Sequence, residues 1–279
     1  MDHRGLLQER LRAVKVPLSE YSFANIYLFR HAHAYEVLPE DGVFIRGRSY
    51  EGSPFVMPTV DIRALDTSHL RSIMGEADFL FPIPEEWLEG LESNVFEHTY
   101  TEGDSDYLFR TDKMASFSGR KLHKKRNLMR QFQRSYSHEA RPLTQDRLGD
   151  ARAVLDQWQR DTGEGPEQTD YGPCQEALDL YEELVLCGAI YYVDDEPAGF
   201  IVGEELNEET FSLHFAKARK EFKGIYEQMY NTFANVLPRR YRYMNFEQDL
   251  GKAALRIAKS SYDPDILLKK YRVALRADA

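Results

Sequence analysis

Three strand-patterned runs follow one another at residues 188–194, 197–205 and 209–216, with no room between them for a crossover helix. Runs joined this closely pair antiparallel, as a meander. A helical pattern at 224–236, an apolar run at 240–246, a second helix at 251–260 and a last strand near 266–275 come after them. A strand reached from the meander only through a helix is free to lie parallel to its neighbour. The order therefore predicts a mixed sheet with helices on its faces, an α+β architecture.

The amino-terminal part offers shorter elements. Residues 1–35 read as largely helical and end in an aromatic run at 21–30, read as packing rather than as a base-stacking platform. Strand candidates at 43–49 and 54–59 are framed by turn signals at Asp41-Gly42 and Gly52-Ser53-Pro54. Asp66-Thr67-Ser68 supplies N-cap chemistry for a helix reaching about Gly75. Residues 79–82 read as a strand, 84–91 as a short helix, and 95–100 and 106–110 as strands. Helices at about 120–136, 145–161 and 174–187 complete the pattern, with the polar stretch 162–173 before the last of them. The chain divides in this reading into residues 1–115 and 116–279, each half a mixed sheet flanked by helices.

At 42% hydrophobic and 13% aromatic residues, the 279-residue chain has material for a core, which excludes disorder throughout. The 36 basic and 46 acidic residues give a net charge of −10, which argues against a non-specific nucleic-acid coat protein. The distribution of charge says more. From Lys113 to His138 there are eight basic residues and no acidic one, so 28 basic and 46 acidic residues outside this stretch carry −18. A local cationic stretch on an acidic protein attracts a polyanion to one place. Leu122, Leu128, Met129, Phe132 and Tyr136 recur at helical spacing and leave the basic side chains mostly on the other side. A solvated helix face paired with acids of the same protein is the plain alternative.

Two cysteines, Cys174 and Cys187, are too few for a disulfide framework, and Cys187 ends an apolar run that reads as core. His31-Ala-His33 lacks the further ligands of a metal centre, so no metal is expected. The first residues mix charge with short apolar pairs, unlike a signal peptide, and no run reaches the roughly 18–20 apolar residues of a membrane span. The expected location is the cytoplasm, with peripheral contact at the inner face of the membrane through the basic helix.

The order of elements after residue 188 resembles that of GNAT-type acyltransferases. A more specific resemblance lies in Tyr243-Met-Asn245-Phe-Glu247-Gln-Asp249-Leu250-Gly251, in Leu255-Arg256-Ile-Ala-Lys259-Ser-Ser-Tyr262-Asp-Pro264, and in Tyr271. Residues 21–30, Gly119-Arg120-Lys121 with Lys125-Arg126-Asn127, and His214-Phe-Ala-Lys217-Ala218 with Lys223-Gly224-Ile-Tyr226 fit the same pattern. Together they resemble a bacterial family related to the C-terminal domain of phosphatidylglycerol lysyltransferase. The resemblance implies two tandem GNAT-like domains with the active half carboxy-terminal. It also implies an aminoacyl-tRNA donor and an amine or hydroxyl acceptor on a lipid headgroup, a peptide or a small metabolite. A non-catalytic module that binds an anionic ligand is the competing reading.

Aminoacyl transfer needs alignment of nucleophile and ester, stabilisation of an oxyanion and a destination for a proton. Arg256 and Lys259 are i,i+3 neighbours expected to converge on a phosphate or the oxyanion, with Tyr262 following. Glu247 and Asp249, with Asn245, are expected to hold an amine, or else to cap the next helix. His214 is the expected proton relay, or else a sheet-face histidine. The family pattern carries a carboxylate two residues after this histidine, where this chain has Ala216. Lys217, Lys223, Gly224 and Tyr226 are expected near the substrate. Arg120, Lys121, Lys124, Lys125, Arg126 and Asn127 are expected to meet the phosphates of tRNA. In acetyl-CoA-dependent GNAT enzymes a glycine-rich loop cradles the pyrophosphate at a helix N-terminus. Here that stretch reads Glu221-Phe-Lys-Gly224-Ile-Tyr226, whose glutamate repels phosphate, so aminoacyl-tRNA is favoured over acetyl-CoA as donor.

Overall fold

Alternation of apolar side chains along the strands decides which faces are buried, and the computed structural model, which describes residues 1–38 and 43–277, shows how the sheets use it. The elements run in order: α1 (Arg4–Val14), α2 (Phe23–Leu28), α3 (Arg30–His33), β1 (Glu36–Leu38), β2 (Phe44–Arg48), β3 (Pro54–Pro58), α4 (Thr67–Met74), β4 (Phe79–Pro84) and β5 (Phe96–Tyr100). Then come β6 (Asp106–Arg110), α5 (Thr111–Ser116), α6 (His123–Ser135), β7 (His138–Pro142), α7 (Leu148–Thr162), α8 (Tyr171–Asp179), β8 (Cys187–Val193), β9 (Glu196–Glu205) and β10 (Thr210–Ala218). The chain ends with α9 (Ile225–Val236), β11 (Tyr243–Asn245), α10 (Ala253–Ser260), β12 (Ile266–Leu268) and β13 (Lys270–Leu275). The Asp41-Gly42 turn signal lies outside the described residues.

The chain forms two compact units. One comprises residues 1–106, 248–255 and 267–279; the other comprises 107–247 and 256–266. The sequence reading draws one boundary after residue 115, whereas these units exchange segments, because the last strand returns to the first unit. β13 lies between β4 and β5 in a six-stranded sheet ordered β1-β2-β3-β4-β13-β5. The single strand expected at 266–275 is accordingly two, and β12 belongs to the seven-stranded sheet β12-β6-β11-β10-β9-β8-β7. Both sheets are mixed, with a parallel β3/β4 pair in one and a parallel β10/β11 pair in the other.

In the first unit Asp66 caps α4, its side chain accepting the His69 N–H at 2.8 Å. The residues between α1 and α2 are not helical, and Ser22 restarts the helix by capping α2. The aromatic run packs as core: Tyr21 and Phe23 are buried, and the Tyr21 hydroxyl donates to the Pro82 carbonyl at 3.1 Å. In the second unit the meander β8-β9-β10 forms as expected, with Phe200, Ile201, Val202, Phe211 and Phe215 buried. Each such aromatic or aliphatic side chain contributes about 2–3 kcal/mol.

Two boundaries differ from expectation, and two strands are additional. The helix expected at 174–187 ends at Asp179; residues 180–185 continue as turns, and Val185, with a left-handed backbone (φ +57°), leads into β8. The strand expected at 240–246 shrinks to Tyr243–Asn245, where it has β10 on one side and β6 on the other. β1 and β7 were not foreseen; all five residues of β7 are exposed, so no apolar alternation marks it.

Candidate active site

The strand β10 carries the site. Its parallel ladder with β11 covers Thr210↔Tyr243, Phe211↔Met244 and Ser212↔Asn245, and there β11 ends while β10 runs on to Ala218 beside β9. In the same stretch the register with β9 jumps from Leu213↔Gly203 to Phe215↔Val202, so His214 is the extra residue of a bulge. Bulges re-aim side chains. Here His214 Nδ1 lies 2.7 Å from Glu247 Oε1 and Nε2 lies 3.0 Å from Glu204 Oε1.

The imidazole is fully enclosed and the two carboxylates are nearly so. Burial by itself lowers the histidine pKa, but the hydrogen bonds and charges of Glu204 and Glu247 override it and push the ring up to about 10. His214 is therefore an imidazolium at neutral pH, with both N–H groups donated. In that state the ring has no lone pair with which to accept a proton, and it holds the two carboxylates in register.

Glu247 reaches His214 from a left-handed backbone (φ +60°), which costs a non-glycine residue about 1–2 kcal/mol. Several donors hold that turn. The Glu247 N–H donates to Asn245 Oδ1 at 2.7 Å, and the Tyr107 N–H donates to the Glu247 carbonyl at 3.2 Å. Lys259 Nζ donates to the carbonyls of Phe246 at 2.6 Å and Glu247 at 3.2 Å. Lys259, expected to converge with Arg256 on an anion, is thus committed to backbone and positions Glu247; Arg256 lies half-buried on α10. Asp249 belongs to the first unit, where its side chain accepts the Gly251 N–H at 2.8 Å, the capping-type turn rather than an amine site.

Lys217, expected at the substrate, is buried and neutralised within the unit. Its Nζ lies 2.6 and 2.7 Å from the two oxygens of Asp170 and 3.7 Å above the Trp158 ring. Tyr226 accepts hydrogen bonds from the Ala218 backbone and from Trp158, so it too is structural here. Gly224, the left-handed N-cap of α9 (φ +90°), has the Leu128 carbonyl oxygen 2.5 Å from where a Cβ would stand. Its glycine serves the close approach of α6. Glu221 pairs with Arg219 at 2.6 Å, and Lys223 is exposed.

The basic helix faces two ways. Arg120, Lys121, Lys124, Asn127, Arg130 and Arg134 are exposed, and Lys121 pairs with Asp263 at 2.8 Å. Lys125 and Arg126 turn inward, which corrects their assignment to a phosphate surface. Lys125 Nζ lies 3.1 Å from the buried Glu227 and 3.7 Å above the Tyr262 ring. Arg126 donates to the carbonyls of Phe117 and, at 2.8 Å, Gly119. Tyr262 is buried and donates to Glu227 at 3.2 Å; burial, with Glu227 beside it, raises its phenol well above 10.

A buried ionic cluster in the first unit went unseen in the sequence. Lys270, with no exposure, has Nζ 2.6 Å from Asp106 Oδ1, 2.7 Å from Glu20 Oε1 and 3.0 Å from Gln248 Oε1. Burial raises Glu20 to about 7, while Asp106 and Glu20 overcome the opposite effect of burial on Lys270 and push it up to about 12. The only sequence signal was a pair of lysines, Lys269-Lys270, entering an apolar strand. Glu204, Ser212, Glu227 and Asp170 were likewise missed. Cys174 is buried with its thiol raised by burial, whereas Cys187 is exposed at the start of β8, contrary to expectation. Among the described residues, no cluster of His, Cys, Asp or Glu is placed to hold a metal ion, and no helix is long and apolar enough to cross a membrane.

Comparison with known proteins finds relatives of this fold. The family model described as phosphatidylglycerol lysyltransferase, C-terminal, matches residues 12–274. A crystal structure of a conserved protein of unknown function from Bacteroides thetaiotaomicron superposes with a TM-score of 0.86 at 26% identity, covering 99% of this chain and 97% of that one. The C-terminal domain of a putative lysylphosphatidylglycerol synthetase from Agrobacterium fabrum gives a TM-score of 0.63 at 13% identity, over 99% of this chain and 93% of that one. An uncharacterised protein of Mycoplasmoides gallisepticum is 26% identical over 198 residues, which are 67% of this chain; the match spans only 61% of that protein's length. The two crystal structures share this chain's fold, two mixed sheets flanked by helices.

Proposed function

Because this chain belongs to the phosphatidylglycerol lysyltransferase C-terminal family and carries its acyltransferase-superfamily fold, we propose that it transfers an aminoacyl group from aminoacyl-tRNA to an amine or hydroxyl. The acceptor classes are a lipid headgroup, a peptide or a small metabolite. The observation that supports the donor choice lies at the N-terminus of α9. The Leu128 carbonyl oxygen sits 2.5 Å from the position of a Gly224 Cβ, and Glu221 is nearby in sequence. Both place negative charge near the N–H groups that a CoA pyrophosphate would use, which supports a donor other than CoA. An aminoacyl-tRNA needs instead a basic surface, which the exposed Arg120, Lys124, Arg130 and Arg134 supply. The same side chains suit a peripheral contact with anionic lipid.

The enclosure of His214 and the presence of Ala216 favour a second reading, a module that binds an anionic ligand without turnover. One experiment separates them. Charged and uncharged tRNA are titrated against the wild type and against a variant with Lys124, Arg130 and Arg134 changed to glutamate, with deacylation followed in parallel. Salt-dependent binding that the variant loses by at least tenfold, together with acceptor-dependent deacylation, is the expected result. Binding without deacylation selects the module, and equal binding by the variant removes the tRNA reading.

A further inference from the structure

Ser212 is the last residue of β10 paired with β11, its side chain is completely buried, and its hydroxyl has no hydrogen-bond partner among the described residues. A buried hydroxyl left unsatisfied is uncommon and destabilising, of the kind that a bound group resolves. Across the sheet Ser212 stands directly opposite Glu204 on one side and Asn245 on the other, so the three side chains share a face. The Glu204–His214–Glu247 triad lies on that face, just beyond the point where the β10/β11 ladder ends. Both imidazolium N–H groups are already given to the carboxylates, so the triad offers a ligand only acceptor oxygens. A phosphate or an anionic headgroup brings acceptors as well and finds few donors here. An ammonium brings three donors and no acceptor.

Building on the acyl-transfer reading, we propose that the acceptor is a primary amine, held as its ammonium by the Ser212 hydroxyl and the Glu204 carboxylate at the end of the β10/β11 ladder. The chemistry balances without a further reactant. The Glu204 carboxylate takes one proton from the ammonium, and the free amine attacks the ester carbonyl carbon. The new C–N bond forms as the C–O bond to the ribose breaks. The second amine proton leaves with the ribose hydroxyl, and the proton on Glu204 passes to water. The products are an amide and uncharged tRNA.

Ethylamine, glycerol and glycerol 3-phosphate, titrated separately into 15N-labelled full-length protein without tRNA, test the assignment. Ethylamine is expected to move the amide resonances of residues 212–216 saturably, and the other two are not. Ser212→Ala should weaken ethylamine roughly tenfold, the loss of one hydrogen bond to a charge. The same variant should leave Tm unchanged or raised, since it deletes an unsatisfied group. Should Glu204→Gln fail to fold, Ser212→Ala alone carries the test. Perturbation by glycerol 3-phosphate instead of ethylamine, or equal amine affinity in Ser212→Ala, overturns the proposal. Because tRNA is absent, a protein that binds amine here but never binds tRNA refutes the donor reading and leaves the amine site standing.

Discussion

His214 shows how much one residue's neighbours decide. From sequence it was a histidine on a strand with a functional and a structural reading; in the fold it is an imidazolium clamped by Glu204 and Glu247. Because its folded pKa of about 10 lies above the ordinary 6.5, the clamp's stabilisation is complete below about 6.5 and is lost as pH rises through about 10. Side-chain 15N spectra should show both His214 ring nitrogens protonated at pH 8, where an ordinary histidine is neutral. Urea unfolding of the wild type should weaken between pH 8 and 10.5 more than that of His214→Gln. A neutral His214 tautomer at pH 8 would contradict the clamp. The residue was visible in the sequence, but its partners were not, since they meet it only through a bulge and a left-handed Glu247 that no periodicity reports.

At the scale of elements, the sequence was most legible where apolar patterning is strong. The β8-β9-β10 meander, α9 and the cap of α4 follow the expected spans, whereas the exposed β7 and the three-residue β11 depend on neighbours for their existence. The basic helix shows the limit of charge counting. Periodicity placed its apolar side correctly enough to bury Leu122 and Phe132, yet it could not say which of the basic side chains, left mostly on the other side, turn inward. Lys125 instead locks α6 to α9 through the buried Glu227, with the Tyr262 ring beneath it. Charge reversal should separate the two roles. Lys125→Glu sets two carboxylates together in a buried place and is expected to destabilise the protein by about 3 kcal/mol or more. The neighbouring Lys124→Glu, on the exposed face, should change stability by less than about 0.5 kcal/mol. Chemical denaturation of the two variants decides it; equal midpoints would mean that the α6–α9 lock holds nothing.

At the scale of the whole molecule, a linear reading of the sequence favours cutting it once, and the chain does not fold as a line. A boundary after residue 115 leaves the first unit without β13, the strand paired on one side to β4 from Lys270↔Pro84 to Val273↔Leu80 and on the other to β5 from Tyr271↔Tyr100 to Leu275↔Phe96. It also removes Lys270, the ammonium against which Glu20 and Asp106 are buried. Two carboxylates left in that place without their cation would lose about 3–5 kcal/mol, comparable with a large share of a small domain's stability. Sequence periodicity detected an apolar strand near 266–275 but carried no information on which sheet it joins, because both ladders accept the same alternation. A fragment of residues 1–115 is therefore expected to give a poorly dispersed 1H–15N spectrum and a broad urea transition. The full chain should give dispersed signals and cooperative unfolding. Adding a peptide of residues 265–279 to the fragment should restore dispersion to the β4 and β5 amides, since it returns both the missing strand and the missing cation. A fragment that folds cooperatively without that peptide would show that β13 is an accessory to the six-stranded sheet rather than the strand that completes it.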